Sequence, residues 1–255
     1  VKVFSKGKTE DKNEDYYGYT KNSFVVVDGS TDKSGRTYQG KTGGWIISRL
    51  IVKECLSSKL NGKQLVVHLN KKVRELYVKL GILHDIQDPK NRFSGDFVLA
   101  RVIHGKVIIT CCGDVGYRMN GSTVFKDVKE IDIITSEKRS KYIKKTNDIS
   151  GSRVYILPFI IKGLEYQNNP VHRLGYGKID GTHTPEKFIK VFTYPKKEIK
   201  TIEIFTDGYF DIPKQATISA WEKMHKIIEK QDPFNYLKYK STKAGDDRTI
   251  MLIHF

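Results

Sequence analysis

The stretch SFVVVDGS, residues 23–30, joins a run of apolar residues to an aspartate and a glycine. Phenylalanine followed by three valines is typical of a buried strand, whereas the Asp28-Gly29 pair is typical of a turn. The stretch TIEIFTDGYFDIP, residues 201–213, repeats this order around Asp207. Both stretches predict a strand that ends at a carboxylate, and a strand fixes the position of its last residue better than a loop does.

Two further groups of carboxylates lie at predicted strand boundaries. Asp114 follows the apolar stretch KVIITCC, and Asp246 and Asp247 precede the final stretch RTIMLIHF. If the strand ends meet, the acids repel one another unless cations neutralise them, and an all-oxygen set favours Mg²⁺ or Mn²⁺ over zinc. A single Asp-Gly pair is more typical of an ordinary turn, so the prediction of a metal site depends on the whole set.

The hydrophobic pattern elsewhere predicts an α+β sandwich of antiparallel sheets covered by helices, in a single domain over residues 1–255. Residues 127–198 have a weaker pattern and predict a loop-rich insertion that contains one strand at 153–161. The other predicted elements are strands within 16–28, helices over 43–60 and 63–81, a four-stranded meander over 96–126, a strand at 201–206, a helix at 215–231 and a strand at 248–255.

Composition limits the possible functions. With 45 Lys and Arg against 29 Asp and Glu, the formal net charge is +16, which attracts polyanions but also simply keeps a surface soluble. No nucleic-acid-binding motif is present. Three unevenly spaced cysteines, no secretory signal and no apolar run near 18 residues predict a reducing, cytoplasmic location without a membrane span. The sequence does not specify an oligomeric state.

Five fragments, taken in chain order, resemble the motifs of the type 2C family of metal-dependent protein serine/threonine phosphatases. They are NED at 13–15, VVVDGS at 25–30, SGDFVLARVIHGKVIITCCGDVGYRMNG at 94–121, IFTDGYFD at 204–211 and GDDRTIMLI at 245–253. The resemblance implies a four-layer α-β-β-α sandwich of two antiparallel sheets flanked by helices. It also implies a variable flap at about 127–198, where the match is weakest.

The resemblance further implies a binuclear centre that hydrolyses phosphoserine and phosphothreonine in proteins. Asp28 would bridge two Mg²⁺ or Mn²⁺ ions, and the carbonyl of Gly29 would bind one of them. Asp207 and Asp246 would complete the protein ligands of the other ion. A metal-activated water would attack phosphorus, so no side chain would act as nucleophile.

Three more acids receive roles from the same resemblance. Glu14 would hold a metal ion through a water molecule, and Asp15 would orient a metal-bound water. Asp114 would belong to a third, weaker metal site.

Two positions depart from the family pattern. Ser30 stands where the family has a histidine often proposed as general acid, so a metal-bound water would have to protonate the leaving oxygen. Glu10 stands where the family has a phosphate-binding arginine, and Lys8 or Lys12 would have to replace it, with less selectivity. An alternative function therefore stays open: a catalytically weak, phosphatase-like scaffold that binds phosphorylated or other polyanionic partners.

Overall fold

The computed structural model describes residues 1–9, 12–30 and 32–255. Its strands are β1 (Lys2–Lys6), β2 (Tyr16–Tyr19), β3 (Ser23–Ser30), β4 (Ser94–Ile103), β5 (Lys106–Cys112), β6 (Gly116–Met119), β7 (Thr123–Lys126), β8 (Ile189–Pro195), β9 (Thr201–Phe205) and β10 (Arg248–His254). Its α-helices are α1 (Gly43–Ser57), α2 (Gly62–Lys79), α3 (Glu130–Thr146), α4 (Ser152–Gly163) and α5 (Ile218–Gln231).

The strands form two antiparallel sheets of five. The first sheet has the order β1-β10-β9-β6-β7 and the second has the order β2-β3-β4-β5-β8. Every pairing between neighbouring strands is antiparallel. The first sheet joins the chain's first strand to its last, so both ends of the described chain contribute to one layer.

Alternation along β3 shows how the layers are stacked. Val25 and Val27 pack with apolar residues of α1 and α2, whereas Phe24 and Val26 pack with residues of the first sheet. Because successive side chains of a strand point to opposite faces, one strand supplies both the helix-sheet core and the core between the sheets.

The outer face of the first sheet packs against α5. Phe205 and Ile250 belong to a third buried cluster that includes Trp221 of that helix. The layers are therefore α1 and α2, the second sheet, the first sheet, and α5. This arrangement confirms the predicted α+β, four-layer α-β-β-α sandwich.

The strand predicted at 153–161 is wrong, because these residues belong to α4. The run RVYILPFII has no helical period and contains Pro158, so its apolar character suggested a strand. Helical structure here is supported by packing on α3, where the rings of Tyr142 and Tyr155 stack with centroids 4.4 Å apart. The predicted loop-rich insertion is thus in large part a pair of helices.

Helix α3 was not predicted from the sequence, because its buried face is polar. Its buried residues include Thr135, Ser136 and Ser140 together with Arg139. The Arg139 guanidinium donates to the carbonyls of Phe234 at 3.0 Å, Asn235 at 3.0 Å and Ser241 at 3.1 Å. Polar contacts therefore tie α3 to the irregular segment that leads to Asp246.

Strands β1 and β8 were also not predicted, and both lie at the edge of a sheet. Their residues are half-buried or exposed, so neither has the strongly apolar run of a buried strand. Over the described residues, no helix combines the length and the apolar character that crossing a lipid bilayer requires.

Candidate metal centre

One cavity of about 620 Å³ contains most of the acids that the sequence singled out. Its lining includes Glu14, Asp28, Gly29, Asp114, Asp207 and Asp246. Asp15 lies behind this wall and is 1% exposed. Residues from the N-terminal segment, both sheets and the segment before β10 therefore meet at one place.

Asp28 comes from the second sheet and Asp207 from the first. Asp28 is the third residue from the end of β3, and Asp207 follows β9 by two residues. Among the described residues, neither carboxylate takes part in a hydrogen bond or an ion pair with another side chain. Both line the cavity, so their oxygens are available to a cation.

The pKa values of these two acids reflect their enclosure. Burial raises the pKa of Asp28 to about 6; the Lys178 ammonium opposes the rise, and Asp114 and Asp246 add to it. Burial also raises the pKa of Asp207 well above its ordinary value, and Asp28 and Asp246 strengthen the effect. The repulsion expected of crowded carboxylates is therefore present in this cavity.

Asp246 is paired with a lysine. The Lys243 ammonium lies 2.5 Å from a carboxylate oxygen of Asp246, and the Lys243 side chain is 37% exposed. Burial lowers the pKa of Lys243, but Asp246, Asp207 and Asp28 outweigh burial and raise it. One acid of the cavity is thus already paired with a cation from the chain.

The glycines that follow Asp28 and Asp207 permit close backbone approach. A Cβ on Gly29 would lie 2.2 Å from the carbonyl oxygen of Gly44 and 2.6 Å from that of Glu14. A Cβ on Gly208 would lie 2.0 Å from the carbonyl oxygen of Asp247. Neither glycine has a positive φ, so the Asp-Gly pairs serve close packing of site segments rather than a left-handed turn.

Asp247 anchors the segment that carries Glu14. Its carboxylate accepts hydrogen bonds from the backbone amides of Lys8 and Glu14, each at 2.8 Å. The Glu14 carboxylate accepts a hydrogen bond from the Thr42 hydroxyl, which also caps α1 by accepting from the Trp45 amide at 3.2 Å. The N-terminal segment, β10 and α1 are therefore held together next to the cavity.

Asp15 is linked to the same region from behind. One carboxylate oxygen accepts from the Thr206 hydroxyl at 2.8 Å, and the other is buried with no hydrogen-bond partner among the described residues. Burial raises the pKa of Asp15 well above its ordinary value, and Asp28 raises it further. Its role in orienting water stays a prediction, as do the individual metal-binding roles of the other acids.

Sequence reasoning missed one further aspartate and two lysines. Asp96 of β4 pairs with Asp28 across the sheet, and single oxygens of Asp28, Asp96 and Asp114 lie within 4.8 Å of one another. The ammonium groups of Lys178 and Lys129 lie 2.7 Å from Asp96 and Asp114, respectively. An aspartate inside the buried strand SGDFVLARV was a usable signal, but nothing distinguishes these two lysines in so lysine-rich a sequence.

The contact between Asp96 and Asp114 affects their pKa values differently. Burial raises the pKa of Asp96 well above its ordinary value, whereas Lys129 and a hydrogen bond from Asp96 outweigh burial and hold the pKa of Asp114 well below its ordinary value. The two neighbouring acids are therefore shifted in opposite directions.

Ser30, one of the positions that depart from the family pattern, lines the cavity. The Ser30 hydroxyl accepts a hydrogen bond from the Lys178 ammonium at 2.8 Å. Lys8 and Lys12 are exposed and line the cavity. Glu10, at the position of the family arginine, lies outside the described residues. A phosphate-binding role for Lys8 and Lys12 stays a prediction.

Further basic groups line the same cavity, notably Lys33 and Arg153. Burial lowers the pKa of Lys33 to about 8, and the nearby charge of Arg153 lowers it further. The Arg153 guanidinium also donates to the carbonyl of Thr242 at 2.7 Å, which links α4 to the segment before Asp246. Crowded positive groups beside crowded carboxylates are suited to an anion that is bound together with cations.

Comparisons with known proteins agree with this geometry. No protein-family model matches the chain, and no curated protein sequence matches it. Solved structures do match: the serine/threonine phosphatase Stp1 from Staphylococcus aureus is 14% identical with a TM-score of 0.54, and the match covers 100% of this chain and 94% of that chain.

Two structures of a second phosphatase give the same result. The serine/threonine phosphatase PstP/Ppp from Mycobacterium tuberculosis is 12% identical with a TM-score of 0.54, covering 98% of this chain and 95% of that one. A PstP catalytic domain in complex with two manganese ions matches with the same identity, TM-score and coverage. At such low identity these matches establish the fold alone. The chain therefore has the fold of the bacterial serine/threonine phosphatases, as the resemblance of its motifs to the type 2C family predicted.

Proposed function

We propose that the chain is a metal-dependent phosphatase that hydrolyses phosphoserine and phosphothreonine in proteins. The observation that carries the proposal is the meeting of Asp28, Asp207 and Asp246 in one cavity, within the fold of known serine/threonine phosphatases. These residues are separated by up to 218 positions along the chain, so their proximity depends on the complete fold.

The donor set fits hard divalent cations. The cavity offers carboxylate oxygens of Asp28, Asp207 and Asp246; burial first, and then the neighbouring carboxylates, raise the pKa values of Asp28 and Asp207. These residues and the Gly29 carbonyl would hold two Mg²⁺ or Mn²⁺ ions. Such ions make hydroxide available near neutral pH and neutralise phosphoryl oxygens. The two manganese ions of the PstP complex support the same number here.

The protein's own groups would bind and orient the reactants. Asp15, fixed by Thr206, would accept a hydrogen bond from the attacking water, and Glu14 would hold another water near the ions. Lys33 and Arg153 would attract the phosphoryl group, as would Lys8 and Lys12. The Ser30 hydroxyl accepts from Lys178, and its own hydrogen would point toward the cavity and bind an anionic oxygen.

The test is hydrolysis of a phosphothreonine peptide and of p-nitrophenyl phosphate by the purified chain. We expect turnover with Mn²⁺ or Mg²⁺, no turnover with excess chelator, and a loss of at least about 10²-fold in kcat for Asp207→Asn. Asp211→Asn is the matched control, because Asp211 is four residues away, exposed and not part of the cavity lining. Turnover that persists with chelator or in Asp207→Asn would refute the proposal.

One observation favours the alternative of a phosphate-binding scaffold. Lys129, Lys178 and Lys243 place three ammonium groups against carboxylates of the cavity. A site that had lost its metal ions would benefit from such internal cations. The scaffold predicts that a phosphothreonine peptide binds without Mn²⁺ and is not hydrolysed, whereas the enzyme requires the ions for turnover.

A further inference from the structure

The Asp96–Asp114 side of the cavity differs from the Asp207–Asp246 side in how its charges are neutralised. The resemblance to the type 2C family assigned a third metal ion to Asp114. In this structure the Lys129 ammonium lies 2.7 Å from Asp114 and 3.7 Å from Asp96, and the Lys178 ammonium lies 2.7 Å from Asp96. Two carboxylates are thus matched by two ammonium groups.

Burial separates these lysines from the third lysine of the cavity. The side chain of Lys178 is 4% exposed and that of Lys129 is 12% exposed, against 37% for Lys243. Lys243 can therefore turn toward solvent when a cation arrives at Asp246. A cation that displaced Lys178 or Lys129 from its carboxylate would instead leave a buried ammonium group without a partner, which is strongly unfavourable.

Both buried lysines are also fixed by their surroundings. The Lys178 backbone amide donates to Asn168 at 2.9 Å, its carbonyl accepts from Thr184 at 2.8 Å, and its ammonium donates to Ser30 at 2.8 Å. Lys129 precedes the first residue of α3, and its ammonium lies 5.4 Å from the centroid of the Tyr176 ring. The two cations are therefore built into the wall of the cavity.

A divalent ion between Asp96 and Asp114 would lie beside both ammonium groups. Positive charges about 4 Å apart repel one another even at an effective dielectric constant of 20, and the double charge of a divalent ion doubles this repulsion for each ammonium. The Lys178 charge also acts on Asp28, but among the described residues no lysine as buried as Lys129 or Lys178 forms an ion pair with Asp28, Asp207 or Asp246. The charge arrangement thus favours metal binding on one side of Asp28 only.

We propose that the ammonium groups of Lys129 and Lys178 take the place of a third divalent ion, so that the chain holds two ions near Asp28, Asp207 and Asp246 and none between Asp96 and Asp114. The proposal rests on the proposed function for the two-ion centre. It adds that fixed ammonium groups neutralise the carboxylates at one edge of this centre, whatever the metal concentration.

The test is to locate Mn²⁺ by anomalous diffraction from crystals soaked at millimolar Mn²⁺. For the unmodified chain we expect peaks beside Asp28, Asp207 and Asp246 and none between Asp96 and Asp114. For Lys129→Met we expect an additional peak between Asp96 and Asp114. Lys126→Met is the matched control, because Lys126 lines the same cavity but its ammonium donates to the Tyr209 carbonyl at 2.8 Å; it should gain no peak.

A Mn²⁺ peak between Asp96 and Asp114 in the unmodified chain would overturn the proposal, as would a folded Lys129→Met variant without the additional peak. If Lys129→Met does not fold, Asp96→Asn decides: calorimetric titration should still give two Mn²⁺ ions per chain, and the loss of an ion relative to the unmodified chain would contradict us. Metal positions are measured without reference to turnover. A chain that holds two ions but hydrolyses nothing would refute the proposed function and leave this inference intact.

Discussion

The glycines beside the site aspartates matter because of the atoms they lie against. Gly29 faces carbonyls of Gly44 and Glu14, Gly208 faces the carbonyl of Asp247, and a Cβ on Gly113 would lie 1.9 Å from a carboxylate oxygen of Asp96. In each case the neighbouring atom belongs to a different segment of the chain. At the scale of the residue, the absence of a side chain determines how closely the carboxylates gather.

Gly208→Ala tests this role. The added methyl group would overlap the carbonyl oxygen of Asp247, so the backbone beside Asp207 or Asp246 must move. We expect the Mn²⁺ affinity to fall at least tenfold, together with a destabilisation of about 1–3 kcal/mol, the usual cost of forced overlap. Isothermal titration calorimetry and urea unfolding measure the two effects.

Gly105→Ala is the control for this experiment. Gly105 lies in the β4–β5 hairpin with a positive φ of 73° and open space around it, so alanine should cost stability through backbone strain alone. Equal losses of Mn²⁺ affinity in the two variants would contradict the proposed packing role of Gly208.

At the scale of elements, the site depends on segments that have no regular structure of their own. The N-terminal segment is held to the start of β10 by Asp247, and the segment before β10 is held to α3 and α4 by Arg139 and Arg153. These segments are held by hydrogen bonds between buried side chains and backbone groups. They leave no hydrophobic period in the sequence, which explains why α3 and the surroundings of Lys129 could not be predicted.

Asp247→Ala should detach the segment that carries Glu14. The substitution removes the acceptor of two backbone amides, and hydrogen bonds to a charged group contribute about 1.5–3 kcal/mol each. We expect the free energy of unfolding to fall by about 2–4 kcal/mol and the Mn²⁺ affinity to fall as well. Urea unfolding and calorimetric titration provide the measurements.

Asp247→Asn gives a graded comparison. Asparagine keeps one carbonyl oxygen as acceptor but replaces the other with an amide donor, so one of the two backbone amides loses its partner. Its loss of stability should lie between those of the unmodified chain and Asp247→Ala. If both variants are as stable as the unmodified chain, Asp247 is not the anchor of this segment.

At the scale of the whole molecule, a chain of net charge +16 encloses an acidic centre. The fold was largely predictable, because the alternation in β3 and the helical spacing in α1 and α2 report directly on burial. We expected Asp28, Asp207 and Asp246 to lie together because the order of their motifs resembles that of the type 2C family, and no local sequence pattern indicated it. Asp96, Lys129 and Lys178 act only through contacts across the cavity, which local sequence patterns do not encode. The single-domain organisation and the roles of the site residues stay predictions.

The metal-free chain should lose stability as the pH rises from 5 to 7. Asp28 binds its proton more tightly when folded, with a pKa of about 6 against 3.8, so its stabilising contribution is complete below pH 3.8 and is lost as the pH rises through 6. The shift corresponds to roughly 3 kcal/mol. Asp207 and Asp15 act in the same direction; His225, whose pKa burial lowers, acts in the opposite one.

Because Mn²⁺ competes with these protons, its effect on the melting temperature should grow over the same pH range. Differential scanning calorimetry with chelator and with Mn²⁺ at pH 5, 6 and 7 measures the difference, which cancels the contribution of His225. Asp207→Asn should reduce the pH dependence in chelator, while Asp211→Asn should leave it unchanged. An Mn²⁺ effect of the same size at all three pH values would contradict the assignment.

The three aspartates proposed to bind the metal ions come from both sheets, and this has a mechanical consequence. Asp28 belongs to the second sheet, whereas Asp207 and Asp246 adjoin neighbouring strands of the first. Any ion that they share is therefore a removable cross-link between the two halves of the sandwich. Chelation should accelerate hydrogen exchange first at the cavity end of β3 and β9, and last at the β4–β5 hairpin, which no such ion reaches.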